Sequence, residues 1–387
     1  MHKYSFLAFS GLVLMATGQL WGANPKEISV DCSHKTISDA VTGLDNDKSY
    51  VISVTGICNE NVRIADFQGI SLTVQGSPTA TINGVAVNPA GEPVVQVLNS
   101  RRVTIANFTI NATGTIPTGN PLALTTNFCA NCLFANLIVT SPRSGVSFAD
   151  SQGLATRISV TLSPGPVGTA LGVISASDMN LQALQLTGPG GPPFTGTGLS
   201  LDGASRARIG LNGSTPNNTL IQGFGQGISV RDASSLDGAT PCGSPQVPCS
   251  SVQNNNQGIR LEAAQANLNG FLVDNNKNGG IFAGTASTLE LIAPFTISNT
   301  ITGIGLAVTH NSHAALFNFG GPLIAFTFSN NPPRDVSIGS LSSVQFNAGV
   351  TSNGNVNCDS SSLLTGTLLG SPTITCANTN PNPTPLP

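Results

Sequence analysis

Charge is scarce in this 387-residue chain. Only 9% of the residues are Asp, Glu, Lys or Arg, against roughly 25% in an average globular domain. The 15 Lys and Arg face 18 Asp and Glu, for a net charge of −3, and that balance excludes the basic footprint of a nucleic-acid binder. Beyond the N-terminus no run approaches the ~18 apolar residues of a membrane-spanning helix, so no span is expected. Disorder is excluded as well, because 40% of the residues are hydrophobic and the net charge is small. There is one Trp, Trp21, and there are two Tyr, Tyr4 and Tyr50. Carbohydrate binding by ring stacking usually draws on those two residue types and is disfavoured here. Helical periodicity of useful length is also missing, which argues against a sheet of alternating strands and helices.

What is present is Gly (43), Pro (25), Phe (17) and abundant Ser, Thr and Asn. The N-terminus orders its residues as an export signal: basic at His2 and Lys3, apolar from Phe6 to Thr17, small at Gly22 and Ala23. Residues 1–23 are therefore set apart from the fold, and the protein is expected to be secreted, periplasmic or cell-surface. All eight Cys lie after that segment, an even number that suits an oxidising compartment. Proximity pairs Cys32 with Cys58, Cys129 with Cys132, Cys242 with Cys249 and Cys358 with Cys376. The Cys129–Cys132 spacing also fits a redox motif or half a zinc site. A second such pair and a following helix are both missing, so a local structural bridge is favoured.

A repeat dominates the remainder. Gly followed by alternating apolar residues recurs at Gly145, Gly172, Gly198, Gly227, Gly258, Gly280 and Gly305, with spacings of 22 to 31 residues. Seven residues after the Gly stands Ser205, Ser234, Gln265, Ser287 or Ser312. Asn254 and Asn276 stand four residues before Gly258 and Gly280, and Asn299 stands six before Gly305. Each unit holds short period-2 strands such as Ile228/Val230 and Ile259/Leu261. Such a unit cannot bury its own apolar face and must stack on its neighbours, ~4.8 Å apart. Asn at one register then forms an amide ladder, and Gly is read as supplying the tight turn. The prediction is all-β: a single parallel β-helix.

On this repeat, and on Thr36-Ile-Ser-Asp-Ala-Val41, Tyr50-Val-Ile-Ser-Val-Thr-Gly56 and Glu60-Asn-Val-Arg-Ile64, the chain resembles the right-handed parallel β-helix proteins of the pectin-lyase-like superfamily. That resemblance implies a short N-terminal capping helix. The organisation expected is a cap and first coil over 24–66, a β-helix over 67–376 and a disordered Pro/Asn-rich tail over 377–387. It does not imply one activity, because the fold hosts lyases, hydrolases, epimerases and non-catalytic surface proteins. The Asn-Thr-Asp, Asp-Asp, His-Gly and Arg-Ile-Lys set of polygalacturonase-like hydrolases is missing, as is the Arg-x-Pro-x-x-Arg segment of pectate lyases.

Against so neutral a chain, Asp202, Arg231, Asp232, Arg260 and Glu262 stand out as outward positions of successive strands, beside Ser147, Ser200, Ser229 and Phe282. Asp202 and Glu262 lie two coils apart, on the order of 9–10 Å, with Arg231 between them. As catalytic candidates the five offer carboxylates as acid and base, or Ca²⁺-holding carboxylates with an Arg base for uronate elimination. As plain structure they form an Asp–Arg–Glu ladder on a solvated face. Of the His after the export segment, His34, His310 and His313, the last two flank Ser312 without a third ligand, so no metal is expected, and no cofactor. The sequons at Asn107, Asn111, Asn212 and Asn217 identify no function.

The leading expectation is a monomeric, non-catalytic structural or interaction protein of a cell surface or extracellular matrix. One alternative is a polysaccharide lyase or glycoside hydrolase acting in a groove, with Ca²⁺ only if it is a lyase. Another is polysaccharide binding without turnover.

Overall fold

The computed structural model describes residues 24–85, 92–112, 122–164, 168–210, 218–239, 249–317, 326–347, 349–377 and 379–380. Residues 1–23, Cys242, the sequons at Asn212 and Asn217, and residues 381–387 lie outside them. Every strand pairing is parallel, and each strand pairs with its counterpart one coil along the chain. Strands of the first face, from Val62–Ala65 to Thr373–Thr375, form a 13-stranded sheet. The second face runs from Lys26–Asp31 to Thr379–Asn380, and the third from Ile57–Asn59 to Leu369–Gly370. These two join into one 25-stranded sheet because Val103–Asn111, Cys132–Ser141 and Gln152–Leu162 bend round the corner and pair with both. The molecule is a parallel β-helix, in the right-handed sense that connections between parallel strands take.

Period-2 alternation explains the core. Along the 13-stranded face Leu199, Ile228, Ile259, Ile281, Leu306 and Val336 stand in register, each at most 1% exposed. Beneath the third face Phe271, Phe295 and Phe326 stack with centroids 6.3 and 5.4 Å apart. At the N-terminal end the helix Ile37–Val41 starts at Thr36, whose side chain accepts from the Asp39 amide. The buried Glu60 carboxylate accepts from the amides of Ile37 (2.7 Å) and Ser38 (3.0 Å) and from the Ser38 hydroxyl. The capping helix is therefore fastened to the first coil.

The repeated residues occupy other columns than their sequence spacing suggests. A Cβ on Gly198, Gly227, Gly258 or Gly280 would lie 2.5–2.7 Å from the carbonyl oxygen of the glycine one coil on. None of these four has positive φ, so they permit close approach between coils and do not make the turn. The turns use left-handed Ala233, Ala263, Ala286, Asn254, Asn275 and Asn299. Ala170 takes the glycine position in its coil, since its carbonyl faces Gly145. Gly172 instead pairs with Ser147 and Ser200.

The serine ladder runs Ser205, Ser234, Ala264, Ser287, Ser312. Ser205, Ala264 and Ser287 amides donate to the Ser234, Ser287 and Ser312 hydroxyls at 3.1–3.3 Å. Gln265 is exposed and lies on the neighbouring strand. The buried amide ladder contains Asn255, Asn276 and Asn331, with Thr300 between the last two. Asn254 and Asn299 are the exposed left-handed residues just before that column. Turn lengths vary by a residue from coil to coil, which is why fixed offsets from Gly miss the column. Thr379–Asn380 pairs with Leu364 and Thr365, so the solenoid reaches Asn380 and does not stop at residue 376.

Candidate functional site

The five residues singled out in the sequence meet on the 13-stranded face. Register sets Arg231 against Glu262, Ser229 against Arg260, and Arg260 against Phe282. Asp202 follows Thr197–Leu201, and its carboxylate accepts from Arg231 Nη2 at 2.8 Å. Arg260 pairs with Glu262 two residues along its own strand. The Arg260 guanidinium also lies 5.2 Å from the centroid of the Phe282 ring. Asp232 turns the corner with φ 51°. A hydrogen bond with the Asp202 carboxyl, followed by repulsion from that same group, holds its pKa above the ordinary carboxylate value. The Arg231 charge opposes that shift.

The arrangement is a ladder, carboxylate–guanidinium–carboxylate, with the charged side chains of both ion pairs 32–45% exposed. Pairs so exposed contribute about 0–1 kcal/mol each. They set register and charge complementarity more than stability. The floor beside them is less ordinary. Ser200 and Ser229 face outward by strand alternation, yet they are only 9% and 3% exposed. Neither hydroxyl makes a hydrogen bond among the described residues. The face is thus a shallow trough floored by Gly172, Ser200 and Ser229, with the Asp202–Arg231–Glu262 row along one side.

His310 and His313 do not form a pair. The first is a turn residue with φ 55°, bonded to the Thr309 hydroxyl, and the second lies on the second face against Ser343. No three His, Cys, Asp or Glu side chains among the described residues converge as a metal site. The bridges Cys32–Cys58, Cys129–Cys132 and Cys358–Cys376 are present. Cys249 is disulfide-bonded too, while Cys242 falls outside the described residues.

A second charged ladder, unread in the sequence, lies on the second face. Arg208 grips both oxygens of Asp178, at 2.6 and 3.2 Å. Arg206 donates through Nε and Nη2 to Asp237. Its signal was available as Arg206-x-Arg208 directly after the Ser205 ladder position, with acids one coil before and one after. The glycine repeat drew the reading to the first face, since the glycines belong to that face alone.

No family model matches the chain, and no curated protein does. Among solved structures it is similar to the Azotobacter vinelandii mannuronan C-5 epimerase AlgE4 A-module, at 7% identity and TM-score 0.47, over 86% of this chain and 91% of that one. It is also similar to an alginate lyase from Paenibacillus sp. str. FPU-7, at 11% identity and TM-score 0.29, over 92% and 99%. The catalytic domain of a GH87 alpha-1,3-glucanase matches at 12% identity and TM-score 0.33, over 81% and 66%. Likenesses this distant lend nothing to the chemistry of the face.

Proposed function

We propose that the chain is a secreted structural or interaction protein of a cell surface or extracellular matrix, acting without turnover. One observation carries this reading: each guanidinium of the candidate set is already engaged by a carboxylate, Arg231 by Asp202 and Arg260 by Glu262. An Arg base for elimination must be free to take a proton. A hydrolytic pair needs two carboxylates that act independently on opposite sides of the scissile bond. The ladder supplies neither. The disulfides fit an oxidising, extracellular setting.

The test is a polysaccharide panel assayed for unsaturated uronate and for new reducing ends, with and without Ca²⁺. The expected result is no turnover. Turnover that disappears in Asp202→Ala or Glu262→Ala would replace this reading with that of a lyase or hydrolase.

A second reading rests on the trough. Asp232 keeps its proton to higher pH than an ordinary carboxyl, through its bond to Asp202. The Ser200 and Ser229 hydroxyls have no hydrogen-bond partner among the described residues. Together they supply a proton donor and hydroxyl contacts to an extended polysaccharide, for binding without turnover or for glycoside hydrolysis. A reducing-end signal lost on Asp232→Asn would favour hydrolysis. Retention of the polymer without new ends would favour binding.

A further inference from the structure

The second face holds a cavity of about 460 Å³ that the readings above do not use. Its lining includes Leu133, Leu154, Asn131, Gln152, Asn180 and the Asp178–Arg208 pair. Leu133 and Leu154 are register partners on neighbouring coils and form a half-buried aliphatic floor. Asn180 continues the column of the leucines, and Gln152 pairs with Asp178. Asn131, φ 56°, sits inside the small loop closed by Cys129–Cys132, so the bridge fixes where its amide stands.

Elsewhere on the surface asparagines bond to one another from coil to coil, as Asn83 does with Asn59 and Asn111, and Asn136 with Asn107. Around this cavity the amides of Asn131, Gln152 and Asn180 have no hydrogen-bond partner among the described residues. Leu154 and Arg208 flank Asn180 in register, and Asp178 stands against Gln152, so no asparagine ladder runs on from either.

We propose that this cavity is a binding site for a neutral sugar, one or two residues of an uncharged polysaccharide. Each free amide both donates and accepts, as a ring hydroxyl does in return. The leucine floor takes the apolar C–H face of the ring, and the volume falls in the range of small-ligand sites, about 300–1,000 Å³. Charge selects against the other classes. Arg208 is spent on Asp178 in a two-point pair, so a uronate meets no free cation and faces the Asp178 carboxylate. A cationic ligand meets the guanidinium. The site lies on a different face from the trough and stands whether or not the trough binds anything.

The experiment uses the full secreted chain, with cello-, xylo-, manno- and malto-oligosaccharides as neutral probes and oligogalacturonate and oligomannuronate as anionic ones. Binding is read by saturation-transfer NMR and by calorimetry. A neutral series is expected to bind, and the Gln152→Ala/Asn180→Ala double variant to weaken that binding at least tenfold with its circular dichroism unchanged. Thr288→Ala, at an exposed position of the second face outside the cavity lining, is expected to leave it intact. The proposal is overturned if no neutral probe binds, if uronates bind as well as neutral sugars, if the double variant binds normally, or if Thr288→Ala abolishes binding and the double variant does not.

Discussion

Adding one methyl group at Gly258 should damage the stack, whereas the same change at Gly172 should not. A Cβ on Gly258 would lie 2.5 Å from the Gly280 carbonyl oxygen and 2.9 Å from both Asn276 Nδ2 and Val273 Cγ1. Heavy atoms in van der Waals contact want ~3.5 Å, so the local gap must open on the order of 1 Å. The obstructing oxygen is backbone of the Gly279–Gly284 strand, which is paired on both sides with neighbouring coils, so the gap opens only by moving paired strands. Overpacking of this kind costs about 3 kcal/mol. At Gly172 the nearest atom to an added Cβ is 3.8 Å away, and φ is not positive. Gly172→Ala should be neutral, or stabilising by ~0.5 kcal/mol through the unfolded chain. The assay is urea unfolding of both variants, with hydrogen exchange to locate the loosened coil, because stacked coils open locally. Gly258→Ala is expected to lower the midpoint and speed exchange over the Gln257–Glu262 and Gly279–Gly284 strands. Equal midpoints, or greater damage from Gly172→Ala, would refute the close-approach account of the repeat.

Asn276→Ala should cost about 2 kcal/mol, because it orphans the buried Asn255 amide and the Val252 carbonyl, and denaturation against Asn278→Ala measures the difference. Phe295→Ala should cost about 3–5 kcal/mol by opening a cavity between Phe271 and Phe326, seen as a lowered melting temperature. Acid should loosen the C-terminal coil. Asp359 accepts bonds led by the Ser362 hydroxyl and the Ser340 amide, which hold its carboxyl well below the ordinary carboxylate range. A depressed folded-state pKa contributes stability that is full above the unfolded value, about 3.9, and fades as pH falls below it. Exchange in the Ser343–Phe346 and Leu363–Gly366 strands should rise on acidification, and Asp359→Asn should remove that dependence. Asp232, with a raised pKa, has the opposite sign: its contribution is full below the unfolded value and lost as pH rises through the folded one. Asp232→Asn should therefore be neutral or stabilising at pH 7 and lose its advantage in acid, which melting curves at pH 7 and pH 3 compare.

Much of the candidate face was legible because strand alternation is a local property. Ile228/Val230 inward and Ser229/Arg231 outward follow from a period of two, and Asp202, Arg231 and Glu262 fell on one row in neighbouring coils. The Asn and Ser columns were only partly legible. They depend on how many residues each turn holds, and the turn after Asn276 places Gly280 four residues on where Gly258 follows Asn255 by three. Asp178, Arg206, Arg208 and Asp237 escaped notice because each pair joins residues about thirty positions apart, on strands with no glycine marker.

By itself, the amino-acid sequence determined an all-β coil stack, its core columns and three of its disulfides, while the capping helix came from the resemblance alone. The first three follow from short-range pattern: alternation, and cysteines close in the chain. Only the tertiary structure decided that the repeat glycines serve contact between coils, that the guanidiniums are taken by carboxylates, and that the Ser200 and Ser229 hydroxyls and the Asn131, Gln152 and Asn180 amides find no partner among the described residues. Those facts turn on which residue of one coil lies over which residue of the next, and register is settled by packing across coils.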